Sequence, residues 1–350
     1  MRRDQQDSAP AWPSAGRAAK RGLAACAAAV LALSAVSCSA GSDSGAIILK
    51  FAHDSPPTSP YQAAAETFKE QVEQGTNGRV EVKIFPSAQL GEEDVVINGL
   101  QSGAVDATIV NVPSLEPTVK ELQLFFMPFL FQNEDQALRV TEGPVGERME
   151  QAISQKVGAE TLGWGSIGEA VLANTVRAVS SPADMHGLKI RTSTSSIATD
   201  TYKALGALPT QLAFGEVYQG LQSGIVDGLD SGSVDLVDMK FYQVLNHVTL
   251  LRQFVRLAPV LVSQNALDKV SAEDQQIIRD AGKAAAEAEL AEDKSQSEEA
   301  LKTLPDNGVQ VTELTDEQRQ VFIDAVAPVY DQYAEAVGGR DLIEQVRQTS

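Results

Sequence analysis

Gly99-Leu100-Gln101-Ser102-Gly103-Ala104-Val105-Asp106-Ala107 returns later in the chain as Gly220-Leu221-Gln222-Ser223-Gly224-Ile225-Val226-Asp227-Gly228, with seven of nine positions identical. In each copy a helical pattern stops at glycine and a strand pattern starts two residues on, as a glycine helix stop produces. Many helix-to-strand turns are spelled this way, but identity on this scale favours two lobes built on one plan. Outward from the first copy, Ile47 to Ala52 reads as a strand buried on both faces, followed by a break at His53-Asp54-Ser55-Pro56. Tyr61 to Gln74 is helical, with Ala64, Phe68 and Val72 four residues apart, and Arg79 to Phe85 alternates as a second strand. Strand, helix, strand, helix, strand at these intervals predicts βαβ units, a largely parallel sheet and an α/β fold. Two such lobes imply a central cleft between them, where small ligands commonly bind.

Between the copies, Leu122 to Phe131 is apolar and aromatic and packs as core beneath both lobes. Helices are expected at Glu134–Thr141 and Val145–Lys156, and a strand from Ala159 to Trp164 crosses into the second lobe. Val255 to Val262 is a buried strand that returns to the first. Ser271-Ala272-Glu273-Asp274 is a capping box opening a helical pattern that reaches Leu304. At roughly 30 residues this helix extends about 45 Å, enough to span both lobes. The expected boundaries are residues 47–163 with 255–304 for the first lobe and 164–254 for the second. Residues 305–350 form a C-terminal helical segment packed on both.

The N-terminus is different material. Arg2, Arg3, Arg17, Lys20 and Arg21 precede an apolar run from Leu23 to Val36 that is too short for a mature membrane span. Residues 1–37 read as an export signal. Cleavage before Cys38 leaves that cysteine where bacterial lipoproteins carry their lipid, with residues 38–46 as a flexible tether. Ala35 stands where lipoproteins usually have Leu, so ordinary cleavage near Ser37 or Ala40 is the alternative. Losing five basic and two acidic residues takes the formal charge from −19 to −22. Nucleic acid is a poor partner for that balance. Cys26 leaves with the signal, so no internal disulfide is expected.

Candidate chemistry is sparse. Gly163-Trp164-Gly165-Ser166-Ile167-Gly168 spells GxGxxG, but the segment after Gly168 is too short and β-branched for a dinucleotide helix. His53, His186 and His247 lack a ligating neighbour, so neither a metal nor a cofactor is expected. No GxSxG is present. Acidic pairs such as Glu92-Glu93 suit the first turn of a helix at least as well as a hydrolytic site. The sharpest candidate is Arg191, which ends the apolar strand Leu188-Lys189-Ile190-Arg191 at the sheet edge where open α/β folds hold ligands. A buried guanidinium offers a carboxylate two parallel N–H donors.

Lys189-Ile190-Arg191, Ala204-Leu205-Gly206-Ala207 with Pro209-Thr210, Phe214-Gly215-Glu216-Val217-Tyr218 and Val226-Asp227-Gly228 together resemble the DctP-like solute-binding proteins of TRAP transporters. Pro86-Ser87-Ala88-Gln89-Leu90-Gly91 and Met127-Pro128-Phe129-Leu130-Phe131 add to the resemblance, which covers the mature chain. It implies a periplasmic-binding-protein-like architecture with crossing hinge strands, closure on a small organic acid, and delivery to cation-coupled TRAP membrane subunits. It places Arg191 on the carboxylate-gripping arginine, Phe214 on a pocket aromatic and Thr194 on a nearby polar position. Asp54, Glu93, Asn111 and Ser231 fall on cleft-lining positions of sialic-acid-binding members. Many members carry a second arginine where this chain reads Gly168-Glu169-Ala170-Val171. One guanidinium beside Asp54, Glu93 and Glu169 predicts a monocarboxylate bearing hydroxyl or amino groups, such as a sugar acid or hydroxy acid. The alternatives are a secreted hydrolase using Glu93 and Glu169, and a sensor subunit that presents ligand to a receptor.

Overall fold

The computed structural model describes residues 45–349; the export and Cys38 lipidation expectations lie outside the described residues. Strand β1 (Ile47–Ala52) runs parallel to β2 (Val80–Phe85) and to β3 (Ala107–Ile109). The crossovers are the helices Pro60–Gly75 and Glu93–Ser102. Ser59 caps the first of these by accepting from the Gln62 N–H, with Pro60 at the helix start, where its missing donor costs nothing.

The chain then forms β4 (Ala159–Glu169), β5 (Val171–Asn174), β6 (Lys189–Thr192), β7 (Leu208–Gln211) and β8 (Gly228–Ser231). Strands β9 (His247–Leu250), β10 (Val255–Ser263) and β11 (Gln310–Glu313) come next. One sheet has the order β2-β1-β3-β10-β4 and the other β11-β9-β5-β8-β6-β7. Strand β6 lies between β7 and β8, parallel to both, as β1 lies between β2 and β3. The sequence repeat is therefore a structural one. Asp106 accepts from the Lys50 backbone N–H at 2.9 Å, and Asp227 accepts from that of Lys189 at 2.9 Å. Each aspartate also donates its own N–H to the same lysine's carbonyl, at 3.0 and 2.7 Å.

Three expectations change. Both sheets are mixed: β10 runs antiparallel to β3 and β4, and β5 antiparallel to β8 and β9. Strand β4 stays in the first sheet as far as Glu169, beyond the crossing expected at Gly163, because β10 pairs along its whole length. Residues 310–313, expected to be helical, form an edge strand on β9. Gly308, in the left-handed region at φ 83°, ends the preceding helix, and buried Val309 leads the chain onto the sheet.

The long helix spans Ala272–Asp306, 35 residues. Its Ile278, Ala281 and Ala285 share a core with Leu49 and Phe51 of the first sheet and Phe68 of the helix Pro60–Gly75, while Leu304 enters the core beside the second sheet with Leu229 and Phe241. It lies so close to β4 that a Cβ on Gly165 would come 2.3 Å from Glu289 Oε2. The GxGxxG stretch is thus strand, with a glycine making room for a helix rather than cradling phosphate. A third cluster joins both halves. Leu122, Phe125 and Phe126 pack with Phe254, Ile190 and Tyr202, and with Phe322, Val329 and Ile343 of the C-terminal helices. Phe126 and Phe254 stack at 4.1 Å, and truncating such a ring costs about 3–5 kcal/mol. Among the described residues no helix is long and apolar enough to cross a membrane.

Candidate ligand site

Parallel strands deliver their C-terminal ends, and the loops beyond them, to one edge of a sheet. The first half supplies Asp54 after β1, Glu92 and Glu93 at the start of the helix after β2, and Asn111 after β3. The second supplies Arg191, Ser193 and Thr194 from β6 and beyond, and Phe214 after β7. All of these line one cavity of about 180 Å³, together with Tyr61, Asp235 and Arg256. That volume suits a small organic molecule.

Arg191 is 5% exposed, and its Nε donates to the Leu212 carbonyl at 3.0 Å. This bond fixes the guanidinium plane, and its Nη groups have no hydrogen-bond partner among the described residues. The Phe214 ring sits 5.9 Å from Cζ, so the cation has an aromatic neighbour. Burial pulls the Arg191 pKa down, Asp230 pulls it up, and Arg256, a like charge close by, lowers it again.

Acids gather on the part of the wall given by the first half. The two Glu93 oxygens accept from the Asn111 backbone N–H at 2.8 Å and from the Ser114 hydroxyl. Burial, then the neighbouring Asp54, pushes Glu93 up to about 8. Asp54 is raised to about 6, chiefly by burial, against the Ser55 hydroxyl it accepts from at 3.0 Å. Glu92 is raised chiefly by burial, and its carboxyl lies against the Gly215 backbone, so that the two halves meet at the cavity mouth. Three buried polar atoms of the lining have no partner among the described residues: the Tyr61 hydroxyl, Asn111 Oδ1 and Arg256 Nε. Unpaired buried groups cost about 1–3 kcal/mol each, so a guest that pairs with them gains on that scale.

Of the residues expected from the sequence, Arg191, Phe214, Asp54, Glu93 and Asn111 come together here, with Thr194 exposed at the lip. Ser231 does not reach the cavity. It is fully buried and donates to Asp235 Oδ2 at 2.5 Å, so it stands behind a lining residue. Glu169 belongs to a separate cleft with Asp293 and Arg252, pairing with Arg252 Nε at 3.1 Å. The reason is local: Gly168 at φ 73° and a register shift between Val255 and Leu257 break the strand alternation, so Ile167 faces the cavity and Glu169 does not. Glu93 and Glu169 therefore cannot act as a hydrolytic pair.

The expectation of a single guanidinium is also overturned, because Arg256 is a second. Its signal was present in the sequence: a charged residue inside Val255 to Val262, a strand read as buried. Tyr61, Glu92 and Asp235 were not singled out as lining residues, since nothing in their local sequence distinguishes them from helix surface.

A family model described as "Bacterial extracellular solute-binding protein, family 7" matches residues 51–336. A TRAP periplasmic solute-binding protein of Polaromonas sp. JS666, bound to D-erythronate, is 31% identical with a TM-score of 0.83, covering 87% of this chain and 99% of its own. Its counterpart from Shewanella oneidensis, with bound succinate, is 27% identical with the same TM-score and the same coverages, 87% and 99%. The ectoine-binding periplasmic protein TeaA of Halomonas elongata is 30% identical over 85% of this chain and 88% of its own.

Proposed function

The chain belongs to the bacterial extracellular solute-binding protein family 7, and on that premise we propose that it captures a small monocarboxylate bearing hydroxyl or amino groups. It delivers this ligand to TRAP membrane subunits, and it is a binding protein, not an enzyme. The observation that carries the substrate reading is the polarity of the cavity. Free guanidinium donors of Arg191 meet an acceptor-rich wall in which Asn111 Oδ1 lacks a donor and Asp54 and Asp235 place carboxyl groups. A carboxylate on Arg191 and hydroxyl or ammonium donors toward that wall match the two sides of the cavity. A second carboxylate there would meet acids, and an uncompensated buried charge costs about 3–5 kcal/mol.

Capture is a hinge motion of the two halves about the crossings at Ala170 and at 251–254, where the Ala170 N–H donates to the Phe254 carbonyl at 2.8 Å. Ligand stabilises the shut state by touching both halves at once. We further propose that Cys38 carries a lipid and that residues 38–46 tether the protein to the cell membrane. Replacing Cys38 by Ala then moves it from the membrane fraction to the soluble one.

The substrate reading is tested by thermal shift, since a ligand that binds only the folded state raises Tm. D-erythronate, galactonate, D-glucuronate, ectoine and succinate make up the panel. A hydroxy or amino monocarboxylate gives the largest shift. Succinate exceeding every monocarboxylate would overturn the preference, and no shift with any of the acids would overturn the carboxylate reading.

A further inference from the structure

Arg256 is a buried cation whose one ion pair inside the described protein is a long one. It sits on β10, a strand whose every residue is buried, and is itself 7% exposed. Its side chain makes no hydrogen bond among the described residues, and its Nε is buried without a partner. Its nearest counter-charge, Asp230 Oδ2, lies 3.8 Å from Nη1, beyond hydrogen-bond reach. Asp230 is buried too, and Arg191 draws on the same carboxylate. The two guanidiniums thus share Asp230 from behind, with Asp235 and Glu93 as the further acids near Arg191, and both face the same cavity, where neither has a hydrogen-bonded carboxylate. Burying like charges side by side is unfavourable unless a second anion enters between them.

Resting on the carboxylate reading above, we propose that Arg191 and Arg256 clamp a single ligand carboxylate between them, Arg256 reaching it from the crossing strand. The clamp adds to the first reading in two ways. It assigns a ligand contact to a residue of the hinge strand, so that ligand arrival is felt where the two halves join. It also occupies both cations with one carboxylate, which leaves none for a second and sharpens the preference for monocarboxylates.

The test is calorimetric titration of the acid that gives the largest thermal shift. Removing Arg256 alone would leave Asp230 buried without its cation, so Asp230→Asn is the background in which Arg256→Gln is made. Unliganded Tm and circular dichroism confirm that each variant is folded. In that background, Arg256→Gln weakens binding by about 30-fold or more, the scale of a truncated buried charge contact, and Arg256→Lys recovers only part of it. Arg191→Lys and Arg256→Gln combined lose less than the product of their separate losses, because both act on one group.

Affinity within about threefold of the Asp230→Asn background would show that Arg256 serves only to balance Asp230, and would overturn the proposal. Losses that simply multiply would put Arg256 on a different ligand group and overturn the shared clamp. If the wild type binds no acid in the panel, the carboxylate reading falls and the clamp falls with it. If the wild type binds and Arg191 matters but Arg256 does not, the clamp alone falls.

Discussion

The two halves that meet at the cavity share one plan and carry opposite endings. Each places its first strand between the next two, and each pins that strand with an aspartate bonded to a lysine backbone, Asp106 to Lys50 and Asp227 to Lys189. Where β1 leads to Asp54, β6 carries Arg191 next to its end; where β2 leads to Glu92 and Glu93, β7 leads to Phe214. The scaffold fixes where side chains arrive and leaves their charge free. At these equivalent strand ends the duplicated frame therefore carries acids in one half and a cation in the other. Arg256 of β10 and Asp235 after β8 add to the lining, and the asymmetry of the strand ends is what can orient a guest that is acidic at one end only.

The most direct way to break this comparison is to remove the grip of the second half. Arg191→Ala reduces affinity for the best-bound acid by about 2–4 kcal/mol, whereas Asp54→Asn, which keeps the polar atoms of the first half, costs less than half of that. Calorimetry giving equal losses would mean that the halves do not divide the work.

The shared frame is tested by Asp106→Ala and Asp227→Ala, each of which leaves a lysine N–H without its side-chain acceptor. Each lowers stability by about 1–3 kcal/mol in urea unfolding with an unchanged denaturant slope. Asp106, which also pairs with Lys269 Nζ at 2.8 Å and is 2% exposed, gives the larger loss. Losses that differ severalfold in the reverse order would make the repeat one of spelling only.

A third difference is titratable. Burial raises Glu93 and Glu116 of the first half to about 8, and also Asp293 of the long helix. A carboxyl raised in the folded state holds its proton more tightly there than in the unfolded chain. Its contribution is complete below the ordinary carboxylate range and is lost as pH climbs through about 8. The unliganded protein accordingly melts at a lower temperature at about pH 8.5 than at about pH 5.5. Asp293→Asn flattens that slope, and a Tm that rises over the interval would contradict the burial of these groups.

The smallest effect is expected at the ends of the equivalent strands β3 and β8. Asn111, whose Oδ1 waits for a donor, loses about 1 kcal/mol of binding on conversion to Ala. Ser231, one layer back, changes affinity by about threefold at most when replaced by Ala.

How much of the fold and the cavity was legible in the sequence depends on which signals are local. The strands β1, β2 and β10 and the helix to Asp306 announce themselves through apolar periodicity and caps that lie within a few residues. Strand β11 did not, because four residues at a sheet edge owe their form to β9 rather than to their own pattern. Most of the cavity was readable because strand ends are predictable places. Glu169 was misplaced because its direction hangs on the positive φ of Gly168 and a register shift, neither of which is spelled in the sequence. Arg256 could have been found by asking why a strand of buried residues contains a cation.

The long helix has a consequence for how movement in this molecule can be measured. It belongs to both halves and, at 35 residues, is about 52 Å from end to end. Because it is anchored in the cores of both halves, a hinge motion must bend it or shift one of its ends against its core. The spacing of spin labels at exposed Glu273 and Asp306 tells the two apart, shortening if the helix bends and holding if an end slides.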